Sequence, residues 1–164
     1  MSPFGDEQIW GSGVVMRAII GQQSMILTCA HVLKADAKPV VLFPDGTKVQ
    51  SQVLASDAPY DCALLLIDTP PNCKYIPLAA SSPRPGENVT MAGYPAAGRY
   101  HGINGRVAGY KGQLIVIGGQ AQEGMSGGPI CTREGIVGVI CETISGPTTP
   151  AVTRGPSVEW IRWF

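Results

Sequence analysis

The stretch that decides the fold is Gly124-Met125-Ser126-Gly127-Gly128-Pro129, in which a serine stands within a glycine-rich turn. A serine held in such a turn is suited to nucleophilic attack. It needs a base to take its proton, an acid to orient that base, and backbone N–H groups to stabilise the oxyanion that forms. The chain upstream of Ser126 contains candidates for the base and the acid.

The candidate base is His31, in Thr28-Cys29-Ala30-His31-Val32, which follows the apolar run Met25-Ile26-Leu27. The run predicts a buried strand. After it we expect a tight helical turn that projects the imidazole into a cleft.

The candidate acid is Asp61, which immediately precedes the apolar run Cys62-Ala63-Leu64-Leu65-Leu66-Ile67 and can be buried against the imidazole. Two other acids flank the same run. Asp57 lies in the preceding loop, where we expect it to shape the loop or face solvent, and Asp68 closes the run at its far end. Position therefore favours Asp61.

The order of these residues along the chain excludes one fold. The serine motif also fits the G-x-S-x-G elbow of α/β-hydrolases, but that fold requires a histidine after the serine. Both histidines, His31 and His101, precede Ser126. We interpret His101, which lies among turn-forming residues, as an exposed loop residue.

Three motifs, T-C-A-H-V, D-C-A-L-L and G-M-S-G-G-P, occur in this order and resemble the three signatures of the chymotrypsin-fold, or trypsin-like, serine peptidases. Gly11-Ser12-Gly13-Val14-Val15 resembles the first-strand motif of compact HtrA-type protease domains. Gly93-Tyr94-Pro95 resembles the start of their second barrel. The resemblance covers nearly the whole chain.

This resemblance implies a serine endopeptidase that hydrolyses peptide bonds through an acyl-enzyme and needs neither metal nor cofactor. It makes Ser126 the nucleophile, His31 the general base and acid, and Asp61 the orienting carboxylate. The N–H groups of Gly124 and Ser126 would form the oxyanion hole.

The resemblance also implies which residues bind the substrate. Its backbone would pair with the edge at 141–143. Gln120 stands where trypsin has an acid that holds basic side chains, and Ile140 where glutamate-specific relatives have a histidine. Because an unpaired buried charge is costly, we expect an uncharged residue before the scissile bond. The implied substrate-binding residues are Gln120, Ala121, Ile140, Cys141, Glu142 and Thr143.

One residue departs from the family pattern. Trypsins have an aspartate just before the nucleophile, which receives a freed N-terminus and so orders the oxyanion loop. This chain has Met125 there, so activation by that salt bridge is impossible. The loop must be ordered by its own packing, by substrate or by another domain.

The 21 glycines and 14 prolines fall between short apolar stretches, which is typical of an all-β protein. We expect two antiparallel six-stranded β-barrels of the chymotrypsin-like kind with a short C-terminal helix. They would form one domain, with a first barrel at about 8–68, a connection at 69–87 and a second barrel at 88–154. The candidate strands are 11–20, 25–29, 39–43, 48–55, 62–68, 88–93, 105–110, 113–117, 128–131, 135–141 and 151–153.

The last residues predict a short helix at about 157–164. Ser157 is a plausible N-cap. Trp160, Ile161 and Phe164 would share one face and seal the second barrel.

Composition excludes several classes of partner. The chain has 164 residues and a formal net charge of zero, so its charge does not favour binding to nucleic acid or to a membrane surface.

The N-terminal segment 1–7 carries acids and lacks a basic region and an apolar core, so we expect it not to be a signal peptide.

Five cysteines cannot all pair with one another, and none forms a C-x-x-C motif. If the segment after Cys131 is a hairpin, Cys131 faces about residue 136 and not Cys141. We therefore expect buried free thiols and a reducing compartment, such as the cytoplasm.

Two other functions remain open. The chain could be a viral polyprotein-processing protease of the same fold, or a catalytically silent two-barrel domain that binds peptides. A protein or peptide is the expected partner in each case, and further domains of a larger protein could flank the chain.

Overall fold

The computed structural model of the protein describes residues 11–18, 22–33, 38–71, 73–96, 99–146 and 150–164. The predicted barrel start at residue 8 and the predicted strand end at Ile20 lie outside these ranges. The elements of the described chain are β1 (Val14–Ala18), β2 (Gln23–Thr28), α1 (Ala30–Leu33), β3 (Val40–Leu42), β4 (Lys48–Gln50), β5 (Gln52–Asp57), β6 (Cys62–Asp68), β7 (Asn88–Ala96), β8 (Arg99–Lys111), β9 (Leu114–Gly118), β10 (Pro129–Thr132), β11 (Gly135–Val139), β12 (Glu142–Ile144), β13 (Val152–Pro156) and α2 (Val158–Trp163).

The first lobe contains the strands before residue 69. β1, β2, β6 and β5 form one antiparallel sheet in that order, and β3 pairs with β4. The predicted strand 48–55 is divided at Ser51. The N–H and the hydroxyl of Ser51 both donate to the carbonyl of Pro39, at 3.1 and 2.5 Å, which turns the chain from the hairpin onto the larger sheet.

The second lobe is an antiparallel sheet in the order β11-β10-β7-β8-β9-β13-β12. It has seven strands where six were predicted, because β12 is a separate short strand paired with β13. The sheet curves until β11 lies against β13: Gly138 pairs with Ser157, and the Cys141 N–H donates to the Arg154 carbonyl at 3.0 Å. The all-β chymotrypsin-like fold with its C-terminal helix is confirmed.

β8 is longer than the predicted strand, which began at residue 105. It starts at Arg99, and its first four residues are exposed, so no apolar alternation marks them in the sequence. His101 is exposed as expected, but it lies within this strand opposite Gly93 and not in a loop.

The C-terminal helix α2 begins where predicted, but its apolar face packs elsewhere. Trp160 and Ile161 lie in a cluster with Val14 of the first lobe and Val139 of the second, so they seal the boundary between the lobes and not the second barrel. Ser157 occupies the N-cap position with an extended backbone, yet its side chain makes no capping hydrogen bond.

The described residues form three apolar clusters: one inside each lobe and one between the lobes. The cluster between the lobes contains Cys29 and Cys62 from the first lobe and Ile136 and Cys141 from the second. His31, Asp61 and Ser126 border this boundary. No helix in the described part of the chain is long and apolar enough to cross a membrane.

Candidate active site

His31 lies in α1, the single helical turn that follows β2. This is the turn expected from the sequence. Its backbone N–H donates to Asp61 Oδ1 at 2.7 Å, and its ring Nδ1 lies 2.5 Å from Asp61 Oδ2. Because a carboxylate only accepts hydrogen bonds, Nδ1 carries the proton and Nε2 is left to accept one. The imidazole is half exposed, so a substrate can reach it.

Asp61 has a backbone φ of 55°, in the left-handed region. Its N–H donates to the Ala58 carbonyl at 3.1 Å, closing the turn that leads into β6. Aspartate tolerates this conformation better than most side chains, and strain of this kind concentrates at functional sites. Asp57 instead accepts the Tyr60 N–H at 2.8 Å, so it shapes the turn and does not contact His31.

The structure brings Ser126 to the same boundary but does not join it to the imidazole. Ser126 Oγ donates to the Cys141 carbonyl at 3.5 Å and makes no hydrogen bond with His31 among the described residues. His31 Nε2 instead lies 3.9 Å from Cys29 Sγ. Rotation of the serine side chain is therefore needed before Oγ can give its proton to Nε2.

The two N–H groups assigned to the oxyanion hole are available. Neither the Gly124 nor the Ser126 N–H donates to a described residue. The amides around them are used within the turn: the Met125 N–H donates to Gln122 at 3.1 Å, and the Gly128 N–H to Met125 at 2.9 Å. This is the pattern required if the two remaining donors are to meet a developing oxyanion.

Ser12 is the residue that the sequence analysis missed. Its N–H donates to the Ser126 carbonyl at 2.8 Å, and its hydroxyl donates to the Gly124 carbonyl at 2.8 Å. The hydroxyl also accepts the Tyr94 N–H at 2.8 Å, and the Ser12 carbonyl accepts from the Thr28 hydroxyl at 2.7 Å. The sequence signal was the motif Gly11-Ser12-Gly13-Val14-Val15, which indicated a first strand but gave no role to the serine.

Met125 is fully buried in the core of the second lobe. It therefore packs as an apolar anchor next to Ser126, at the position where the sequence analysis noted an aspartate in trypsins. Its sulfur also accepts the Gln122 N–H at 3.4 Å, which tightens the turn.

The residues predicted to bind substrate occupy different environments. Cys141 and Glu142 line a cleft of about 220 Å³ together with Tyr60, Asp61 and Arg154. The ion pair between Glu142 and Arg154 lies at this cleft. A second cleft, of about 650 Å³, is lined by residues 81–84, 86–88 and 132–134 and includes none of the predicted site residues.

Thr143 and Ala121 are joined by hydrogen bonds. The Thr143 hydroxyl lies 3.3 Å from the Ala121 carbonyl and 3.2 Å from the Thr153 hydroxyl, which accepts the Ala121 N–H at 3.0 Å. Gln120 beside them is exposed, whereas Ile140 is buried in the same core cluster as Ala121. Both side chains therefore belong to the core of the second lobe, and Ile140 is only 1% exposed.

All five cysteines are free, and Cys131 faces Ile136 in the β10–β11 hairpin as expected. Cys29, Cys62 and Cys141 are buried, whereas Cys73 and Cys131, contrary to expectation, are only partly buried. Burial raises the pKa of Cys62 to about 12 and that of Cys131 to about 11. The pKa of Cys141 is raised by a hydrogen bond with the Cys29 thiol and by burial. These thiols are protonated at neutral pH and act as small apolar side chains.

Cys29, His31 and Asp61 each offer a donor atom within 4.8 Å of the others. A zinc ion binds such atoms at about 2.0–2.3 Å, so it would draw the ligands closer together and replace the hydrogen bond between His31 and Asp61. The arrangement suits an imidazole–carboxylate pair better than a metal ion.

The sequence matches the family model described as the trypsin-like peptidase domain over residues 11–139. Among curated proteins, no sequence matches significantly. The fold is similar to that of the serine endoprotease from Yersinia pestis, with a TM-score of 0.79 and 22% identity over 93% of this chain. The chain spans 55% of the length of that protein. The family model matches well over half of the residues of this chain, so the chain belongs to the trypsin-like peptidase domain family.

Proposed function

We propose that the protein is a serine endopeptidase in which His31, Asp61 and Ser126 form the catalytic triad. The observation that carries the proposal is the double contact of Asp61 with His31, through the backbone N–H and through ring Nδ1. Two hydrogen bonds to one carboxylate fix both the position and the tautomer of the imidazole, leaving Nε2 as the base.

The reaction follows from this geometry. Ser126 Oγ turns from the Cys141 carbonyl, gives its proton to His31 Nε2 and attacks the peptide carbonyl carbon. The Gly124 and Ser126 N–H groups stabilise the oxyanion, and His31 returns the proton to the leaving amine. Water, deprotonated by His31, then releases the acyl group and restores Ser126.

The substrate is a protein or a peptide. Its backbone would pair with β12, which is hydrogen-bonded to β13 on one side only and ends the sheet. The residues Gln120, Ala121, Ile140 and Thr143 carry no charge, and Glu142 is paired with Arg154. An uncharged residue, small or aliphatic, is therefore expected before the scissile bond, because a charged one would find no partner. Cleavage of a peptide library tests this, and a dominant preference for Arg, Lys, Asp or Glu would contradict it.

A fluorophosphonate probe tests the proposed nucleophile directly. Wild-type protein should be labelled at Ser126, and peptide mapping by mass spectrometry would locate the adduct. Ser126→Ala and heat-denatured wild-type protein should remain unlabelled. Labelling elsewhere, or none in folded wild-type protein, would remove the assignment.

One observation favours a second candidate, a silent peptide-binding domain: Ser126 Oγ is directed to the Cys141 carbonyl and not to His31. Hydrogen bonds at catalytic sites are often incomplete without substrate, so this contact does not exclude catalysis. The same probe separates the two, because a silent domain would bind peptide without being labelled.

A further inference from the structure

We propose that Ser12 is the positioning residue that orders the oxyanion loop, defined as residues 122–128, and so performs from the first lobe what a buried salt bridge does in trypsins. The inference rests on the proposed peptidase function and concerns how its oxyanion hole is held.

The direction of the Ser12 hydrogen bonds is fixed by proton count. A serine hydroxyl has one proton and can accept through its lone pairs. Because the Gly124 carbonyl can only accept, the hydroxyl proton of Ser12 is directed at it, 2.8 Å away, while a lone pair of Ser12 Oγ accepts the Tyr94 N–H. The orientation of the Gly124–Met125 peptide is therefore set by a residue about a hundred positions earlier in the chain.

Gly124 depends on such contacts because it has no side chain to anchor it. Its φ is 92°, and a Cβ at this position would lie 2.7 Å from the carbonyl oxygens of both Tyr94 and Pro95. The loop is thus pressed against the segment whose Tyr94 N–H is bound by Ser12. Glycine is the residue with most conformational freedom, so its peptide planes are held by neighbouring donors.

Ser12 also holds the nucleophile itself. Its N–H donates to the Ser126 carbonyl at 2.8 Å, while the Gly127 N–H donates to the Ile140 carbonyl at 2.7 Å. Contacts on both sides of the Ser126–Gly127 peptide prevent it from rotating. The Met125–Ser126 peptide, which carries the Ser126 N–H, thus lies between the two peptides whose carbonyls Ser12 holds.

The Ser12 residue is itself held rigidly. It is buried, and its carbonyl accepts the Thr28 hydroxyl at 2.7 Å. Gly11 and Gly13 allow this close approach: a Cβ on Gly11 would lie 2.3 Å from a Val32 methyl, and one on Gly13 would lie 3.0 Å from Ile26. Water has no ready access to replace the hydroxyl, so its removal leaves the Gly124 carbonyl unsatisfied.

The test compares Ser12→Ala with Ser51→Ala. Ser51 is a matched control, because it is also a buried serine whose hydroxyl donates to a backbone carbonyl, at 2.5 Å, but within the first lobe. Peptide kinetics, the fluorophosphonate labelling rate and thermal melting are measured for both variants, with wild type and Ser126→Ala alongside.

We expect Ser12→Ala to lower kcat and the labelling rate by about 10- to 100-fold, as a misplacement of order 1 Å does, with KM changed by less than about threefold. Ser51→Ala should lower the melting temperature by about as much as Ser12→Ala does, yet it should keep the wild-type kcat. Ser12→Cys, which retains a weaker donor, should fall between Ser12→Ala and wild type.

Three outcomes would overturn the inference. One is a kcat for Ser12→Ala within twofold of wild type, and another is a loss that Ser51→Ala reproduces. The third is failure of both Ser12→Ala and Ser12→Cys to fold, which would make Ser12 a residue of the fold alone. Inactive and unlabelled wild-type protein would instead refute the proposed function, so the two failures are distinguishable.

Discussion

The indole of Trp160 stacks on the phenol ring of Tyr60, with ring centroids 4.7 Å apart and planes inclined by 27°. Tyr60 is the residue before Asp61, so the C-terminal helix packs directly against the turn that carries Asp61. Phe164 continues the stack at 4.8 Å from Trp160. The helix therefore supports the turn that carries Asp61.

The stack predicts that Trp160→Ala lowers the free energy of unfolding by about 3–5 kcal/mol, because it opens a cavity between the lobes. Trp163→Ala is the control, since Trp163 lies in the same helix but is 83% exposed. It should change stability by no more than about 0.5 kcal/mol. Urea denaturation measures both, and equal effects would show that the stack contributes little.

The oxyanion loop predicts a large effect for Gly124→Ala. The new Cβ would meet two carbonyl oxygens at 2.7 Å, so the loop must shift and the rate should fall about 100-fold. Gly86→Ala is the control, because the backbone φ of Gly86 is 93° and that of Gly124 is 92°. A Cβ at residue 86 would meet no atom within 4 Å. This control variant should lose stability and keep its peptidase rate. A similar loss of rate in both variants would mean that backbone strain, and not crowding at the site, is responsible.

The triad predicts that single and double substitutions have nearly the same effect. Ser126→Ala, His31→Ala and the double variant should each lower kcat by about 10⁴- to 10⁶-fold, because each residue acts only through the other. Steady-state peptide hydrolysis measures this. Additive losses would indicate that His31 and Ser126 contribute independently.

The choice of acid predicts a contrast between two aspartates. Asp61→Asn should lower kcat by about 10⁴-fold, since an amide cannot hold the Nδ1-protonated imidazole in the same way. Asp57→Asn keeps an oxygen that accepts the Tyr60 N–H and should leave kcat unchanged. If only Asp57→Asn loses activity, the acid has been wrongly assigned.

The buried thiol of Cys62 predicts loss of stability in alkali. Burial raises the pKa of this thiol to about 12 in the folded protein. As the pH rises, the thiol therefore loses its proton at a lower pH in the unfolded chain than in the folded protein. This stabilising contribution is complete below about pH 9 and is lost between about pH 9 and pH 12, at up to about 1.4 kcal/mol per pH unit. Cys62→Ala should reduce the slope of the unfolding free energy against pH over that range by up to one proton.

Cys73→Ala is the control for this measurement, because the Cys73 thiol is less buried. It should reduce the slope less than Cys62→Ala does. Identical slopes for wild type and Cys62→Ala would contradict the prediction.

Much of the fold could be predicted because local pattern and tertiary environment agree. The buried strand β6 is a continuous apolar run, and the turn after β2 brings His31 to the boundary of the lobes. Even the register of Cys131 opposite Ile136 followed from the position of one turn.

The remaining features depend on contacts that no local pattern encodes. The start of β8 is exposed on both faces, and β12 has only three residues, so neither shows alternation. Ser12 lies 112 positions from the carbonyl that it holds, and hydrogen bonds of this range follow from the arrangement of two lobes. The packing of Trp160 between the lobes likewise depends on the position of helix α2 relative to both lobes, which a local pattern does not encode.

The shortness of β12 has a consequence for self-association. Unpaired strand edges are a common route to aggregation, because they offer a row of backbone donors and acceptors to any other strand. β12 offers only three residues, and Glu142 on it is charged and paired with Arg154. Two copies of the protein would gain few hydrogen bonds by joining these edges. In the proposed function an extended peptide would gain further contacts in the cleft lined by Cys141 and Glu142, so the same short edge that disfavours pairing between two copies would still accept a substrate.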